Sequence, residues 1–376
     1  MKSNWIIKKL TEIALINPRE TLKKGVLAKK APMDKLRPFY RDIPEYILEE
    51  YKGGAKFRNE DTIMARITPC LENGKISKVS DLADDEIGFG STEYIVFRPK
   101  SEICDSNYLY YLICSPLVRD LAIKSMVGSS GRQRVQTDVV ANLDIALPSI
   151  KEQKKIGGIL KVIDDKILIN NKINNNLEQQ VSVLYQSWFE DFELTNGVCP
   201  ENWQYQELST IADIASGKRP SVKATAYSQE TPFPIVGAAS VMGFTSEANH
   251  SDKILVTGRV GTHGVVQRFN TPCWTSDNTL VIKSYYYEFT NQILQRIDYS
   301  SMNRGSTQPL ITQGDMKKVS VLVPDEETLA KFGTFASALM NQWEANKLEN
   351  VKLASLRDTL LPKLMSGELD VSNIDF

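Results

Sequence analysis

The sequence lacks the residue patterns on which metal and disulfide sites depend. It contains five cysteines and two histidines, and no two cysteines form a C-x-x-C pair. A zinc site needs clustered Cys or His ligands, and only His250 and His263 could join the scattered thiols, so we expect no metal. An odd number of dispersed cysteines indicates buried thiols in a reducing cytoplasm. These cysteines are Cys70, Cys104, Cys114, Cys199 and Cys273.

Long apolar runs are missing as well. No run approaches the roughly 18 residues that a membrane-spanning helix needs. Residues 1–9 lack the apolar segment of a signal peptide. We therefore expect a cytoplasmic protein without a membrane partner.

Catalytic and cofactor motifs are also absent. The sequence has no G-x-x-x-x-G-K-[ST] loop for a nucleotide and no Asn/Asp-Pro-Pro-aromatic tetrapeptide of the kind that aminomethylating enzymes use. Gly258-x-x-Gly261-x-x-Gly264 follows a strand pattern but lacks a Gly-x-Gly start and a following helix, so it predicts a hairpin tip. Both histidines lie in the second half, which excludes a Ser-His-Asp site repeated in each half. We expect a chain that is not an enzyme and holds no cofactor.

What the sequence does contain is an internal repeat. The spacing Trp-x4-Leu-x2-Ile-Ala occurs at residues 5–14 and again at residues 203–212. Leu147-Pro148 recurs as Val323-Pro324, and a long helical pattern follows each copy at a constant offset. Repeats determine architecture, and 376 residues suffice for two or three domains. The pattern predicts two similar domains, each followed by a helix.

Each copy mixes strand and helix signals. Asp61–Ile67 and Tyr94–Phe97 are typical of strands, whereas Tyr108–Lys124 predicts a helix interrupted near Pro116. In the second copy Ile254–Val260 corresponds to the first strand, which places Arg259 opposite Arg66. Framework positions match and the loops differ, so we expect two domains that bind related but different targets.

The helical segments carry a coiled-coil pattern. Their apolar residues and asparagines are spaced by fours and threes over more than four heptads. The first series is Ile156, Leu160, Ile163, Ile167, Asn170, Asn174, Leu177, Val181, Leu184 and Trp188. The second is Phe332, Ala336, Leu339, Trp343, Asn346, Asn350, Leu353, Arg357, Leu360 and Leu364. If the helices pair antiparallel, Asn170 faces Asn350 and Asn174 faces Asn346, and Arg357 must find an acidic partner or reach solvent. Alternatively, the asparagines are exposed and the two series face other partners.

These patterns predict an α+β fold with an internal pseudo-twofold repeat, in which two similar α/β domains are separated by two long antiparallel coiled-coil helices. The expected boundaries are 1–148 for the first domain, 149–192 for the first spacer helix, 193–323 for the second domain and 324–376 for the second helix and tail. A helix of about 40 residues is about 60 Å long, which exceeds one turn of duplex DNA.

The net charge of −1 argues mildly against a nucleic-acid partner, but basic residues outnumber acidic ones within residues 1–42. A clustered basic face matters more than the total charge, although such a face can also be merely solvated. Arg reads guanine, Gln reads adenine and Lys anchors phosphate. The candidate DNA-binding residues, in or beside predicted loops, are Arg66, Lys75, Arg132, Gln133, Arg134, Lys218, Arg219, Lys223, Arg259, Arg304 and Gln308.

Several motifs together resemble a known family. They are residues 147–156 (LPSIKEQKKI), residues 170–178 (NNKINNNLE), residues 356–368 (LRDTLLPKLMSGE) and residues 216–220 (SGKRP). With the repeated domain openings, they make the chain resemble the specificity subunit of type I restriction–modification systems over essentially its whole length.

The resemblance implies a non-catalytic subunit whose two domains each read one half of a split double-stranded DNA site. It implies that the helices set the spacer between the half-sites. Two modification (methyltransferase) subunits would dock on the helical region and carry the methyl donor, and separate restriction (translocase/endonuclease) subunits would consume ATP and cut. One departure is Pro324–Leu329, which lacks the Glu-Gln of the first copy. We therefore expect the second docking surface to differ.

Three alternatives remain open from the sequence. The chain could be a coiled-coil scaffold that binds proteins, and DNA binding that weakens steeply with salt would argue against that interpretation. It could be a self-sufficient nuclease or methylase, which methyl transfer by the isolated chain would indicate. It could also be the specificity subunit of a fused nuclease–methylase, which co-purification would reveal.

Overall fold

The structure is a computed structural model that describes residues 5–129, 131–302, 310–372 and 374. Its contacts group into two compact units. Unit 1 is Met1–Asn171 with Lys347–Phe376, and unit 2 is Lys172–Asn346. Each unit therefore contains one copy of the repeat together with parts of both long helices.

Unit 1 is built on mainly antiparallel sheets covered by helices. Its strands are β1 (Ile6–Lys9), β2 (Ala14–Ile16), β3 (Leu27–Ala31), β4 (Ile47–Glu50), β5 (Lys56–Phe57), β6 (Thr62–Ala65), β7 (Ile76–Lys78), β8 (Gly88–Gly90), β9 (Tyr94–Pro99) and β10 (Asp144–Leu147). Its helices are α1 (Leu10–Ile13), α2 (Ser106–Cys114), α3 (Pro116–Lys124), α4 (Thr137–Ala141), the first part of α5 (Ile150–Phe189) and the last part of α8 (Glu326–Met365). The sheet orders are β2-β9-β6-β7 and β4-β3-β8-β5, with a separate β1–β10 ribbon.

Helices α2 and α3 confirm the predicted interruption near Pro116. Asp105 caps α2 by accepting a hydrogen bond from the Tyr108 backbone N–H at 3.0 Å. Ser115 ends α2 in an extended conformation (φ −66°, ψ 153°), and Pro116 begins α3. Proline has no N–H to donate and disfavours helical geometry in the preceding residue, which explains the break.

Unit 2 repeats this plan. Its strands are β11 (Gln204–Glu207), β12 (Asp213–Ser216), β13 (Phe233–Val236), β14 (Val241–Thr245), β15 (Ile254–Gly258), β16 (Gln267–Phe269), β17 (Trp274–Thr275), β18 (Thr279–Lys283) and β19 (Ser320–Val323). Its helices are α6 (Tyr287–Arg296), α7 (Gln313–Lys317), the last part of α5 and the first part of α8 (Glu326–Met365). The sheet orders are β12-β18-β15-β16 and β14-β13-β17, with a β11–β19 ribbon.

The two central sheets share their strand register. Ala65 pairs with Tyr94 across β6 and β9, and Gly258 pairs with Thr279 across β15 and β18. Arg66 and Arg259 therefore occupy the same position, directly after equivalent strands, as the sequence predicted. Strands β15 and β16 are antiparallel neighbours, so the glycine-rich segment between them is a hairpin connection, also as predicted.

Helices α5 and α8 are each 40 residues long and begin at equivalent caps. The Glu152 backbone N–H donates to Ser149 Oγ at 3.3 Å, and the Thr328 backbone N–H donates to Asp325 Oδ1 at 2.9 Å. Side-chain oxygens at such positions satisfy the amide groups that a helix start leaves unpaired.

Within each unit the two helices run antiparallel. In unit 1, Asn170 Nδ2 donates to Asn350 Oδ1 at 2.9 Å, and Arg357 Nη1 lies 2.8 Å from Asp164 Oδ1. Of the two possibilities for Arg357, an acidic partner or solvent, the structure shows the first, and the partner is Asp164.

In unit 2, Asn346 Nδ2 donates to Asn174 Oδ1 at 2.9 Å. The Phe189 and Phe332 rings pack with their centroids 5.1 Å apart. Both asparagine pairs have the partners expected from the sequence spacing.

The residues of the predicted seam differ in burial. Those that are buried are Ile156, Leu160, Ile163, Ile167, Asn170, Asn174, Leu177, Val181, Phe332, Ala336, Asn346, Arg357 and Leu364. Those that are partly buried are Leu184, Trp188, Leu339, Trp343, Asn350, Leu353 and Leu360. The asparagines are therefore withdrawn from water to different extents, and the alternative in which all of them are exposed is wrong.

The Glu-Gln pair of the first helix lies at a packed junction. Gln153 is fully buried, and its amide donates to the backbone oxygens of Ile103 (3.0 Å) and Pro148 (2.9 Å) and accepts from the Asp105 backbone N–H (3.0 Å). Leu329 has the corresponding place in the second helix and is buried too. The difference between glutamine and leucine thus lies in the core, whereas the expectation that the second docking surface differs stays a prediction.

None of the helices in the described ranges is both long and apolar enough to cross a membrane. Over the same ranges, no group of three or more His, Cys, Asp or Glu side chains is placed to hold a metal ion.

Candidate nucleic-acid interface

In unit 1 the fold brings several of the candidate residues together. Arg66 donates its backbone N–H to the Glu93 carbonyl at 2.9 Å and accepts from the Val135 N–H at 2.8 Å. Thr68 and Gln133 exchange two hydrogen bonds of 3.0 Å, one through the Thr68 hydroxyl. Arg66 and the hairpin that carries Arg132, Gln133 and Arg134 therefore form one continuous surface.

At the centre of this surface lies a carboxylate that the sequence did not single out. Arg134 binds Glu93 with Nη2–Oε1 at 2.7 Å and Nε–Oε1 at 3.0 Å. Arg66 Nε lies 3.9 Å from Glu93 Oε2, and it is buried with no hydrogen-bond partner among the described residues. The hydrogen bonds that Arg134 donates to the Glu93 carboxylate raise the pKa of Arg134. Two guanidinium groups thus share one acid. The only sequence feature that could have drawn attention to Glu93 is that the second copy has asparagine at the corresponding position.

A cleft of about 690 Å³ lies beside Arg66. Its lining includes Arg19, Lys56 and Tyr94. Arg19 is exposed, and Lys56 binds the backbone oxygen of Glu20 through its ammonium group. Neither cation is among the candidate DNA-binding residues named from the sequence, because no sequence pattern indicates that they lie beside Arg66 in the folded domain.

The wall of this cleft is anchored by ion pairs. Glu20 Oε1 lies 2.7 Å from Arg58 Nε and 2.6 Å from Arg98 Nη1, and Arg98 Nη2 lies 2.7 Å from Asp61 Oδ2. The hydrogen bond from Arg58 lowers the pKa of Glu20. Because Glu20 is anchored in this way, the neighbouring Arg19 is held at the edge of the cleft.

Lys75 has a different environment from the arginine cluster. Its ammonium donates to the Met33 backbone oxygen at 2.7 Å, and the side chain is partly buried. The structure thus gives Lys75 an internal contact rather than a free charge.

In unit 2 the corresponding surface surrounds Arg259. Its backbone N–H donates to the Asn278 carbonyl at 2.8 Å, its carbonyl accepts from the Ile311 N–H at 3.0 Å, and its Nε is buried without a hydrogen-bond partner among the described residues. These are the backbone contacts of Arg66, with Asn278 in place of Glu93. Arg259 and Arg66 are thus presented in the same way by different neighbours.

A second set of unit 2 candidates lies on the loop after β12. The Lys218 N–H donates to the Thr275 carbonyl at 2.9 Å, and Trp274 Nε1 donates to the Lys218 carbonyl at 2.6 Å. The side chains of Lys218, Arg219 and Lys223 are exposed. Residues 275–278 connect this loop to Arg259 through the backbone. Arg304 and Gln308 lie outside the described residues.

Several of the positive charges near the start of the chain are paired with acids in the part that the structure describes. Lys30 pairs with Glu49 at 3.0 Å and Lys35 with Glu45 at 2.7 Å. Arg41 is buried and lies 2.8 Å from an Asp165 oxygen. Acids from later in the sequence therefore neutralise part of this charge, and a basic face formed by the remaining cations stays a prediction.

Comparison with known proteins agrees with the repeat. A family model described as "Type I restriction modification DNA specificity domain" matches residues 2–179 and again residues 200–353. The two matches cover most of the chain and fall on its two copies.

Individual proteins are similar over much of their length. The chain is 25% identical to the specificity subunit of type I restriction enzyme MjaIX of Methanocaldococcus jannaschii, covering 72% of this chain and 70% of that protein. It is 21% identical to the HindI specificity subunit of Haemophilus influenzae, covering 88% and 89%. The S subunit of a type I restriction–modification system from M. genitalium has a similar fold, with a TM-score of 0.55, 17% identity and 96% of each chain covered.

Proposed function

The chain belongs to the type I restriction modification DNA specificity family, and from that premise we propose that it is the subunit that recognises double-stranded DNA for a type I restriction–modification complex. Each domain would read one half of a split, asymmetric site. The chain itself would carry out no chemistry. It would direct the methylation of adenine by a partner and position the restriction machinery.

One observation supports this proposal above the others. The two copies keep the same strand register and the same backbone contacts around Arg66 and Arg259, whereas the side chains beside these arginines differ. Glu93 in the first copy corresponds to Asn278 in the second. Base edges are distinguished by the donors and acceptors that side chains present, so a shared scaffold with different side chains suits two unlike half-sites.

The proposal includes the organisation and partners of the chain. Residues 1–148 and 193–323 would be the recognition domains, and residues 149–192 and 324–376 would supply the helices on which two modification subunits dock. Helix length would set the gap between half-sites, as spacing does in dimeric DNA-binding proteins. Restriction subunits would join the same complex. All five cysteines are free, which suits the cytoplasm.

Mapping of methylated bases tests the proposal. The chain is expressed with its modification subunits in cells without other methylases, and the genome is sequenced for modified adenine. We expect one asymmetric motif consisting of two short specific segments separated by unspecified bases. Cells that contain only the modification subunits are the control and should lack the motif. A continuous motif, or no motif in the presence of the chain, would contradict the proposal.

A further inference from the structure

The Arg134–Glu93 pair is available to a ligand. The Arg134 side chain is 43% exposed and that of Glu93 is 23% exposed. Glu93 takes hydrogen bonds from Nε and Nη2 of Arg134, whereas Nη1 makes only a 3.4 Å contact with the Arg132 carbonyl. An arginine has five N–H donors and a carboxylate about four acceptor sites. Both groups therefore keep hydrogen-bonding capacity toward the solvent.

The pair is not needed to hold the hairpin. Val127 and Arg134 exchange two backbone hydrogen bonds, of 3.0 and 2.9 Å, and Val135 donates to the Arg66 carbonyl. Ion pairs this exposed contribute roughly 0–1 kcal/mol to stability. Stability alone thus gives little reason for a charged pair at this position.

Binding of a DNA phosphate does not account for the Arg134–Glu93 pair either. Phosphate contacts come from cations, backbone N–H groups and neutral donors. Glu93 places a negative charge between Arg134 and Arg66, and this charge opposes the approach of a phosphate. The arrangement instead suits a target that offers acceptors and a donor side by side.

We propose that Arg134 and Glu93 together read a G·C base pair in the half-site of the first domain. In the major groove, guanine N7 and O6 accept hydrogen bonds, and the adjacent cytosine N4 donates one. The free edge of the Arg134 guanidinium supplies two donors, and the neighbouring Glu93 carboxylate supplies an acceptor. The pair therefore complements the whole edge of one G·C pair.

The second domain lacks this combination. The bridge Ile67–Arg134 in unit 1 corresponds to the bridge Val260–Leu310 in unit 2, so leucine stands where Arg134 does. Asn278, at the position of Glu93, carries both donors and an acceptor. The inference rests on the proposed function and concerns the first domain alone, so the other half-site serves as an internal reference.

The test uses the complete complex with its modification subunits. Glu93→Gln keeps the size of the side chain and removes the charge, whereas Arg134→Lys keeps the charge and removes the planar fork. Methylation mapping should show that discrimination at one G·C position of one half-site falls about 10- to 100-fold. The other half-site should be unchanged. The salt dependence of DNA binding by Arg134→Lys should match the unaltered complex, because the phosphate charge balance is kept.

Glu49→Gln is the matched control, since Glu49 forms a similarly exposed pair with Lys30 on a strand of unit 1. It should leave both half-sites intact, and thermal unfolding should show that all three variants fold.

The inference is overturned if the half-site affected by domain 1 variants contains no G·C pair, or if both Glu93→Gln and Arg134→Lys leave base preference unchanged. It is also overturned if these variants lower methylation equally at every sequence, the result expected of a phosphate contact. A wild-type complex that methylates no split site would reject the proposed function and, with it, this inference.

Discussion

At equivalent positions of their long helices, unit 1 has a buried ion pair and unit 2 has apolar side chains. In unit 1, Asp164 and Arg357 form an ion pair whose side chains are 5% and 10% exposed, and Tyr111 donates its hydroxyl to Asp164 at 2.6 Å. Along the repeated helices these positions correspond to Met340 and Val181, which are buried in the apolar core of unit 2. Helix pairing in this scaffold therefore depends on matched shape and does not require one particular polarity.

A similar contrast exists beneath the two central sheets. Lys78 on β7 donates to Asn107 Oδ1 at 2.6 Å in unit 1. Arg268 on β16, at the same register position, binds Glu288 with two bonds of 2.7 Å in unit 2. The backbone framework is shared, and each copy holds the cation at this position with different partners. Differences of this kind show where the two copies have ceased to be interchangeable.

The largest expected effect comes from breaking the ion pair of unit 1. Arg357→Met should lower the free energy of unfolding by about 3–5 kcal/mol, because Asp164 would remain buried without its cation. The double change Asp164→Met with Arg357→Val, which transfers the residues of unit 2, should recover most of this loss. Urea unfolding followed by fluorescence measures both variants.

Met340→Leu in unit 2 is the control for this comparison. It exchanges one apolar side chain for another of similar volume and should cost less than about 1.5 kcal/mol. If Arg357→Met is as mild as this control, the ion pair is not responsible for the packing of unit 1.

A smaller effect is expected where the helices begin. Gln153→Leu introduces the residue of the second copy, but it leaves the Asp105 N–H and two carbonyl groups without their partner. A buried polar group left unpaired costs about 1–3 kcal/mol, so thermal unfolding should detect a clear loss. The reverse change, Leu329→Gln, should also destabilise, since unit 2 has an apolar environment there. An unaffected melting temperature in Gln153→Leu would mean that water replaces the amide.

The smallest expected effect depends on pH and concerns the wall of the cleft. The hydrogen bond from Arg58 lowers the pKa of Glu20 below its ordinary value of 4.5. Folding is therefore stabilised by this group above that value, and the stabilisation is lost as the pH falls through the lowered pKa. The hydrogen-exchange protection factors of residues 17–21, which are corrected for the slower intrinsic exchange in acid, should fall as the pH drops, whereas those of residues 215–219, with Lys218 in place of Glu20, should fall less.

Glu20→Gln should remove this acid response, because the titrating group is gone. Glu45→Gln, which alters an exposed pair with Lys35, should leave it in place. If the Glu20→Gln variant shows the same change in hydrogen exchange with pH as the unaltered protein, another carboxylate is responsible for the acid sensitivity.

Several parts of the candidate site could be predicted from the sequence. The repeated strand patterns predicted that Arg66 and Arg259 occupy equivalent positions, because the pattern of apolar residues largely determines the register of a strand. Glu93 could not be found in this way, since its role depends on two arginines that reach it from other strands and loops. The charge of residues 1–42 was misleading for the same reason: a count along the chain does not include the acids that fold onto it.

The sequence alone was sufficient to predict the duplication, the α+β class, two helices of about 40 residues and the facing asparagines. These features follow from local periodicity, which sterics and apolar burial convert into regular elements. Only the folded structure decided which charges neutralise each other, that Gln153 is buried, and that one acid stands between Arg66 and Arg134. Such contacts join residues far apart in the chain, and electrostatic and hydrogen-bond energies depend on distances that exist only once the sheets and helices are packed.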